Sequence, residues 1–486
     1  MTAVPAIRWF MRGLLLFALA FTNLNDMWSP DVLPNALLPF TLLREGNVNY
    51  DEFVFRDDRS SLSPTAAQRL ADRIDSQAYF FRACGVSTLT EPPHAPRSKG
   101  GPPAPGPGDH VCSVFPPGMG LLALPFFLPI VVSGAPALDL GMLLRVGHVA
   151  AAFYEALAAL LLWAVLRRLV NERAALALVL LYFLGTSVRT VASQALWQHP
   201  GVHLAVAGGL WLVLHERWVP LWRELVAGAV LGLGGFVRQT TALVALGTAG
   251  PRVRATLITL AGAAIGILPL LVFNWLAFGS PLEMGYGAKP FDTPPTEGLY
   301  GLLLSPSRGL FVYEPWALLA LGALVTARSS GGRIGQRLGT LLLVWILVLF
   351  LYSTYAEWWG GRVFGPRFLD DLAAVLIVGL AWGIKSGGFA HPVMRALLWL
   401  SAAWSLVIFN AAAFVYDQKW DTVPVNVNDD PSKIFSWSEP QWLAVLQAVG
   451  AGGPKVIVAA ALTLLALLFL LRIEGVLARR VIASPQ

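Results

Sequence analysis

Long apolar stretches separated by short polar segments recur along the whole chain. Most of them approach the roughly 20 residues that a helix needs to cross a bilayer. The stretch 222–250 is longer, and Gly234-Gly235 and Arg238 interrupt it, so it is predicted to form two short helices that meet near Arg238. With those two, twelve crossings are predicted. The other ten are 9–25, 143–166, 174–190, 198–214, 255–277, 310–327, 338–355, 367–384, 394–416 and 454–471.

Basic residues sort to one side of these predicted crossings. The segments predicted to lie inside carry seventeen basic and four acidic residues, whereas loop 26–118 carries eight basic and eleven acidic residues and loop 417–453 two and five. Because basic loops stay in the cytoplasm, both termini are predicted to be cytoplasmic and the long first loop external. The predicted division is a first helix (1–25), an external loop region (26–142) and a multi-span domain (143–486), with further external loops near 279–309, 356–366 and 417–453.

The first loop contains three segments with structure of their own. Val32–Glu45 has apolar residues at helical spacing and is predicted to form an interfacial helix. Pro64–Phe81 is a second helical candidate. Residues 119–133 are apolar but short and contain two prolines, which predicts a re-entrant or interfacial element. The Pro/Gly-rich run 92–108 offers no chemistry.

Composition narrows the class of protein. The 486 residues are 56% hydrophobic and only 13% charged, whereas soluble domains carry about 25% charged residues. A soluble enzyme and a disordered chain are therefore excluded, and an all-α polytopic membrane protein is expected. The net charge is +6. Because the basic residues are distributed by membrane side and are not gathered on one face, no nucleic-acid partner is expected. Cys84 and Cys112 both lie in the external loop, and the sequence leaves open whether they form a disulfide.

Two acidic clusters in the first loop are candidate catalytic or binding groups. Asp26 and Asp31 lie where the first helix leaves the membrane, and a carboxylate there could act as general base on an acceptor hydroxyl. The alternative is that Asp31 only caps the following helix. Asp51 and Glu52, flanked by aromatic residues, could bind a sugar hydroxyl or a metal, or could be solvated loop charges.

Three further segments carry candidate binding residues. His199 lies at an external helix end, where it could donate to an anionic oxygen or simply pack at the interface. Arg238 interrupts an apolar stretch, and charged residues in such places are usually functional. The segment 355–368 is the densest cluster, with arginines suited to bidentate phosphate binding and tryptophans suited to a sugar ring. Its candidate residues are Glu357, Trp358, Arg362 and Arg367.

The order of these segments resembles the GT-C superfamily of polyprenyl-phosphate-dependent glycosyltransferases, in a bacterial branch related to protein mannosyltransferases and lipid A aminoarabinose transferases. No nucleotide-binding or metalloprotease motif is present to suggest another chemistry. The segments that carry the resemblance are SPDVLPNALLPFTLLREGNVNYDEF (29–53), SVFPPGMGLLALPF (113–126), SQALWQHP (193–200), GLGGFVRQTTAL (232–243), FNWLAFGSPLEMGYG (273–287), GLYGLLLSPSRGLFVYEP (298–315) and EWWGGRVFGPRFL (357–369).

The resemblance implies an inverting transfer of a monosaccharide from a polyprenyl-phosphate donor to a hydroxyl on a glycan, lipid or protein, at the external face of the bacterial inner membrane. The superfamily's catalytic Asp matches Asp31 best, with Asp26 as the fallback and Asp51-Glu52 third. The basic residues that hold the donor phosphate would correspond to Arg238, Arg362 and Arg367, and His199 and Glu357 would line the sugar pocket. The acidic pair of protein mannosyltransferases is split here into Asp26 and Asp31, which leaves the base open.

Other functions remain compatible with the sequence. The chief alternative is a flippase or transporter for a lipid-linked glycan, and the next is a ligase that uses a diphosphate-linked lipid glycan. A glycan-binding scaffold without activity comes last. The expected partners are a polyprenyl-phosphate-linked sugar and the lipid bilayer. No cofactor is implied, and a divalent cation is left open.

Overall fold

The computed structural model of the chain is mostly helical, with one two-stranded sheet in the first loop. It describes residues 3–25, 27, 29–54, 78–87, 104–106, 108–215, 219–286, 291–330 and 332–482. Among the described residues, five helices are long and apolar enough to cross a membrane, which agrees with the predicted all-α membrane class. They are Leu140–Leu166, Val253–Phe278, Arg333–Ser353, Pro392–Val415 and the apolar part Gly453–Arg472 of the last helix.

The remaining predicted crossings also contain helices, although these are shorter. In chain order the helices are α1 (Ala3–Ala20), α2 (Leu33–Phe40), α3 (Asp51–Val54), α4 (Gly118–Val132), α5 (Leu140–Leu166), α6 (Glu172–Leu184), α7 (His199–Val213), α8 (Leu221–Val237), α9 (Val244–Thr248), α10 (Val253–Phe278), α11 (Pro295–Leu304), α12 (Leu310–Tyr313), α13 (Trp316–Ser329), α14 (Arg333–Ser353), α15 (Arg367–Asp370), α16 (Ala373–Lys385), α17 (Pro392–Val415), α18 (Lys419–Thr422), α19 (Gln441–Ala451) and α20 (Gly453–Ile482).

The stretch 222–250 is interrupted at the predicted position. Helix α8 ends at Val237, and Arg238 has an extended backbone. A 3-10 helix, Gln239–Leu243, then leads into the five-residue α9. The break directs the Arg238 side chain away from the helix axis and toward α15, where it contacts Phe368 and Asp371.

The start of the first loop is more buried than expected. A 3-10 helix (Pro30–Val32) leads into α2, and every residue of α2 is buried. A π-helical turn, Thr41–Glu45, ends the segment. The prediction of an interfacial helix over Val32–Glu45 is therefore wrong for its first half, because α2 packs inside the protein against α4. Helix α4 runs unbroken through both of its prolines.

The described remainder of the first loop is a small sheet. Strand β1 (Phe81–Ala83) pairs antiparallel with β2 (Val111–Ser113), and a disulfide joins Cys84 to Cys112. Arg82 is fully buried and donates to Glu283 at 3.0 Å, which ties the sheet to the segment after α10. Residues 64–77 of the helical candidate Pro64–Phe81 and most of the run 92–108 lie outside the described residues, and Phe81 belongs to β1.

Helices α8 and α10 cross with their backbones in contact. A Cβ atom on Gly228 would lie 1.9 Å from the Thr259 carbonyl oxygen, and one on Gly262 would lie 2.0 Å from the Leu225 carbonyl oxygen. Small residues at a helix crossing let membrane helices approach closely. The crossing fixes the position of α8, and therefore of Arg238 at its end.

Candidate functional site

Asp31 lies on the 3-10 helix that follows α1, and its carboxylate has two partners. The Tyr79 hydroxyl donates to Oδ1, and Arg367 Nη1 lies 3.5 Å from Oδ2. The side chain is 18% exposed. Ser29 forms the cap of this turn, since its hydroxyl accepts from the Asp31 backbone N–H. The Asp31 carboxylate is therefore turned toward Arg367 and does not cap α2.

Arg238 and Arg367 lie over the same aromatic ring. Their guanidinium carbons are 4.9 Å and 5.3 Å from the centroid of Phe368, and Arg367 also lies 4.6 Å from the centroid of Trp197. The contact with Phe368 brings two guanidinium groups, from α15 and from the break after α8, into one small region. Cation–π contacts of this kind hold the guanidinium planes while leaving their N–H groups directed outward.

Arg367 is not fully used by the protein. Its Nε is buried with no hydrogen-bond partner, whereas Arg238 has Asp371 at 3.3 Å, the His199 ring at 3.4 Å and a hydrogen bond with Tyr352. A guanidinium has five N–H donors. These contacts leave a donor of Arg367 available beside Asp31, which is the arrangement expected where an anionic oxygen binds.

Two histidines of α7 lie behind the arginines. His199 Nδ1 is 2.7 Å from Asp371 Oδ1, and His203 Nδ1 is 2.7 Å from Glu155 Oε1. Residues four apart on a helix share one face, so both rings point toward the α15–α16 segment. His203 Nε2 also lies 3.1 Å from the Asp370 carbonyl oxygen. A gap too narrow for a water molecule lies between this layer and Arg367, and it is lined by Ser187, Val191, Ala192, His199, His203, Arg367 and Asp370.

The same layer brings together groups of the kind that bind cations. Ligand-type atoms of His199, His203 and Asp371 lie within 4.8 Å of one another. Both ring nitrogens of His203 are already occupied, and Arg238 Nη1 lies 3.4 Å from the His199 ring. A guanidinium at that distance repels a metal ion. The charges of this cluster therefore fit an anion better than a divalent cation.

Asp51 and Glu52 have partners within the first loop. Asp51 accepts from the Val111 backbone N–H at 2.7 Å and lies 2.6 Å from His110 Nδ1, so it anchors β2. Glu52 is buried, and this burial raises the pKa of its carboxyl group. No contact of either residue with the arginine cluster is recorded among the described residues. Asp26 lies outside the described residues.

The loop 355–368 divides into two parts. Trp358 is 1% exposed and packs against Phe435 and Gly301, where an added Cβ would lie 2.2 Å from its ring, so it offers no open face to a sugar. Arg362 is exposed and donates to Asn426 at 3.1 Å. Glu357 is half-buried. Arg367, at the end of this loop, lies beside Asp31.

Several residues of the cluster were not singled out from the sequence. They are Tyr79, Glu155, Trp197, His203, Phe368, Asp370 and Asp371. A sequence signal existed for the last two, because adjacent carboxylates at the start of the apolar stretch 367–384 are costly in a membrane. Tyr79 carried no such signal, since nothing in its local pattern links it to Asp31.

Comparisons with models of known protein families, with curated proteins and with solved structures find no match to this chain. The fold and the candidate site define a helical membrane protein with two arginines and a carboxylate at a partly open position. Any more specific function has to be argued from that geometry.

Proposed function

We propose that this chain is a GT-C-type glycosyltransferase, which moves a monosaccharide from a polyprenyl-phosphate donor to a hydroxyl acceptor with inversion. The observation that carries the proposal is the joint position of Asp31, Arg367 and Arg238. One carboxylate and two guanidinium groups lie together, with Asp31 and Arg367 within 3.5 Å of each other, and Arg367 has an N–H without a partner. This is the pair of functions that the reaction requires, a base and an anion site.

Asp31 and the two arginines have separate roles in the proposed reaction. Asp31 removes the proton from the acceptor hydroxyl, and the hydroxyl oxygen forms a bond to the anomeric carbon. The bond from that carbon to the phosphate oxygen breaks on the opposite side, and its electrons leave with the polyprenyl phosphate. Arg238 and Arg367 stabilise the negative charge that grows on the leaving phosphate. Their cation–π contacts with Phe368 keep them in place before the substrate binds.

The proposed topology places this site at the external face. It combines the twelve predicted crossings, cytoplasmic termini and a location in the bacterial inner membrane. Support comes from the position of Asp31 at the exit of α1 and from the disulfide, which is typical of an oxidising compartment.

The second candidate is transport of a lipid-linked glycan. It is favoured by a layer of ionisable groups inside the helix bundle, where Glu155, His203, Glu314 and Asp370 are all buried. Such groups in membrane proteins often mark ion or proton pathways. A transporter would move a fluorescent lipid-linked sugar across a vesicle membrane without releasing polyprenyl phosphate.

The decisive experiment uses purified protein in vesicles with a panel of short-chain polyprenyl-phosphate monosaccharides. Release of polyprenyl phosphate is measured for the wild type, for Asp31→Asn and for Asp417→Asn, whose side chain is exposed in a different loop. Asp31→Asn is expected to lose about 100-fold or more in rate, the usual contribution of a general base, while still binding donor. Asp417→Asn should match the wild type. Unchanged release by Asp31→Asn would reject Asp31 as the base, and movement without release would favour transport.

A further inference from the structure

Two buried carboxyl groups face each other behind the arginines. Glu314 is 0% and Asp370 2% exposed, and their carboxyl groups are within hydrogen-bonding range of each other. Neither carboxyl oxygen of Glu314 has a hydrogen-bond donor, nor does Oδ1 of Asp370. The other oxygen of Asp370 accepts from the Ser187 backbone N–H. The Ser187 hydroxyl also lies within hydrogen-bonding range of the Asp370 carboxyl group, so the Glu314 carboxyl group is the one without a donor.

This arrangement cannot hold two full negative charges. An ionised carboxylate in an apolar interior is very costly unless it is paired, and among the described residues no arginine or lysine forms an ion pair with either group. Two like charges side by side raise the cost further. One proton placed between the two groups removes a charge and supplies the missing donor.

We propose that Glu314 and Asp370 share one proton, and that this acid pair positions the arginines of the candidate site. The inference depends on the proposed function only for the identity of the ligand that the arginines bind. Glu314 directly follows α12 and lies two residues before α13, and Asp370 is the last residue of α15, which also carries Arg367 and Phe368. The shared proton therefore ties α15 to the junction between α12 and α13. Glu314 and Asp370 are positioning residues and act through Arg367 and Asp371.

The surroundings determine how the pair responds to pH. From α7, His203 lies against the Asp370 backbone carbonyl and is itself paired with Glu155 of α5. From α6, Tyr182 donates to Glu155. Asp371, beside Asp370, is already neutralised by Arg238 and contacted by His199. Arg367 lines the same narrow gap as Asp370.

The pH dependence follows from these contacts. In acidic and neutral buffer the pair keeps its proton, and α15 is held in place. As the pH rises and the proton is lost, the two carboxylates repel each other and α15 is displaced, together with Arg367 and Asp371. Binding of a lipid phosphate should therefore weaken at alkaline pH. Glu314→Gln replaces the shared proton with an amide N–H donor, so its binding should be independent of this titration.

The test measures binding of a short-chain polyprenyl phosphate to full-length protein in detergent, from mildly acidic to alkaline buffer. We expect wild-type affinity to fall about tenfold across the series, within the usual range for coupling between sites, and Glu314→Gln to stay level. Glu439→Gln, at an exposed external position, should follow the wild type. Parallel pH profiles for the wild type and Glu314→Gln would overturn the proposal.

A second measurement does not depend on the ligand. Infrared spectra of the wild type should contain the carbonyl band of a protonated buried carboxylic acid, and Glu314→Gln should lack it. If polyprenyl phosphate binds at no pH, the proposed function fails while the infrared band still decides the acid pair. Absence of the band in well-folded wild-type protein would overturn the shared proton.

Discussion

The two arginines over Phe368 have the same proposed role, to bind the donor phosphate, but each is paired with a different carboxylate. Arg238 is paired with Asp371 at 3.3 Å and Arg367 with Asp31 at 3.5 Å. Both distances exceed the usual length of a charge-assisted hydrogen bond, which is about 2.7–2.9 Å. A phosphate between them could therefore replace loose contacts with closer ones. It would also draw Arg367 away from Asp31, which leaves the carboxylate oxygen free to accept from the acceptor hydroxyl when the donor is bound.

Replacement of either arginine by lysine is expected to weaken the binding of polyprenyl phosphate. Lysine keeps the charge but loses the planar fork that contacts two oxygens at once and lies flat on Phe368. The loss of one charge-assisted hydrogen bond costs about 1.5–3 kcal/mol, so affinity should fall by about 10- to 100-fold in Arg238→Lys and Arg367→Lys. Titration of the lipid phosphate into purified protein measures this. Arg145→Lys, exposed on α5, is the control, and an equal loss there would show that the effect is not specific to the two arginines of the candidate site.

Glu52 provides a pH-dependent stability prediction outside the membrane. Burial raises the pKa of its carboxyl group in the folded protein above the unfolded value. The group therefore favours folding at acidic pH, and this contribution is lost as the pH rises through the folded pKa. Glu52→Gln should raise the free energy of unfolding at neutral pH, by on the order of 1 kcal/mol, and should have less effect in acid.

Thermal unfolding across a pH series measures that difference between Glu52→Gln and the wild type. The matched control is Glu297→Gln, because Glu297 is exposed at the start of α11. A midpoint for Glu52→Gln that lies below the wild type at neutral pH would show that the carboxylate makes a favourable contact there, contrary to this account.

At the scale of elements, the sequence predicts helices well where length and apolarity decide the outcome. The break at Arg238 was predictable because a charge and two glycines interrupt an apolar stretch. The burial of α2 was not, since apolar spacing at Leu33, Leu37 and Phe40 fits both a membrane surface and a protein interior. Whether a surface meets lipid or another helix depends on α4, which lies about 80 residues further along the chain.

The crossing of α8 and α10 is the element on which the position of Arg238 depends. Gly262→Ala should therefore both destabilise the protein and weaken binding of polyprenyl phosphate, because the new methyl group would overlap the Leu225 carbonyl oxygen. Overpacking of this kind costs about 1–3 kcal/mol. Gly322→Ala on α13 is the control, since nothing lies within 4 Å of its added Cβ. Equal thermal midpoints for Gly262→Ala and the wild type would mean that the helices do not cross this closely.

At the scale of the whole molecule, the candidate site combines parts that are far apart in sequence. Asp31 and Arg367 were both predictable as candidates, because a charge at a membrane surface needs a reason. Their contact across the fold was not, and neither was the role of Tyr79. The reverse holds for Trp358, whose position in a dense aromatic and basic loop suggested a sugar platform. Its ring is instead covered by Phe435, from a loop whose position only the fold determines.

The sidedness of the chain is open to a direct test because both native cysteines form the disulfide and none of the described cysteines is free. Cysteine can therefore be introduced singly at Ser330, Ser386 and Ser438 without removing the native pair. Ser438 lies in a loop predicted to be external, whereas Ser330 and Ser386 lie in segments predicted to be cytoplasmic. An impermeant thiol reagent should label Ser438→Cys in intact spheroplasts and the other two only after lysis.

This labelling pattern also tests the proposed chemistry. Of the long helices, α17 alone lies between Ser386 and the predicted external loop 417–453, so opposite labelling of Ser386→Cys and Ser438→Cys would mean that α17 crosses the membrane. If Ser330→Cys and Ser386→Cys are labelled under the same conditions, an even number of membrane crossings must lie between them, as α14 and α16 provide. The opposite labelling pattern would place Asp31 on the cytoplasmic side. Sugars there are available as nucleotide-activated donors, so a lipid-linked donor would no longer be needed and the reason for proposing polyprenyl phosphate would fall with the topology.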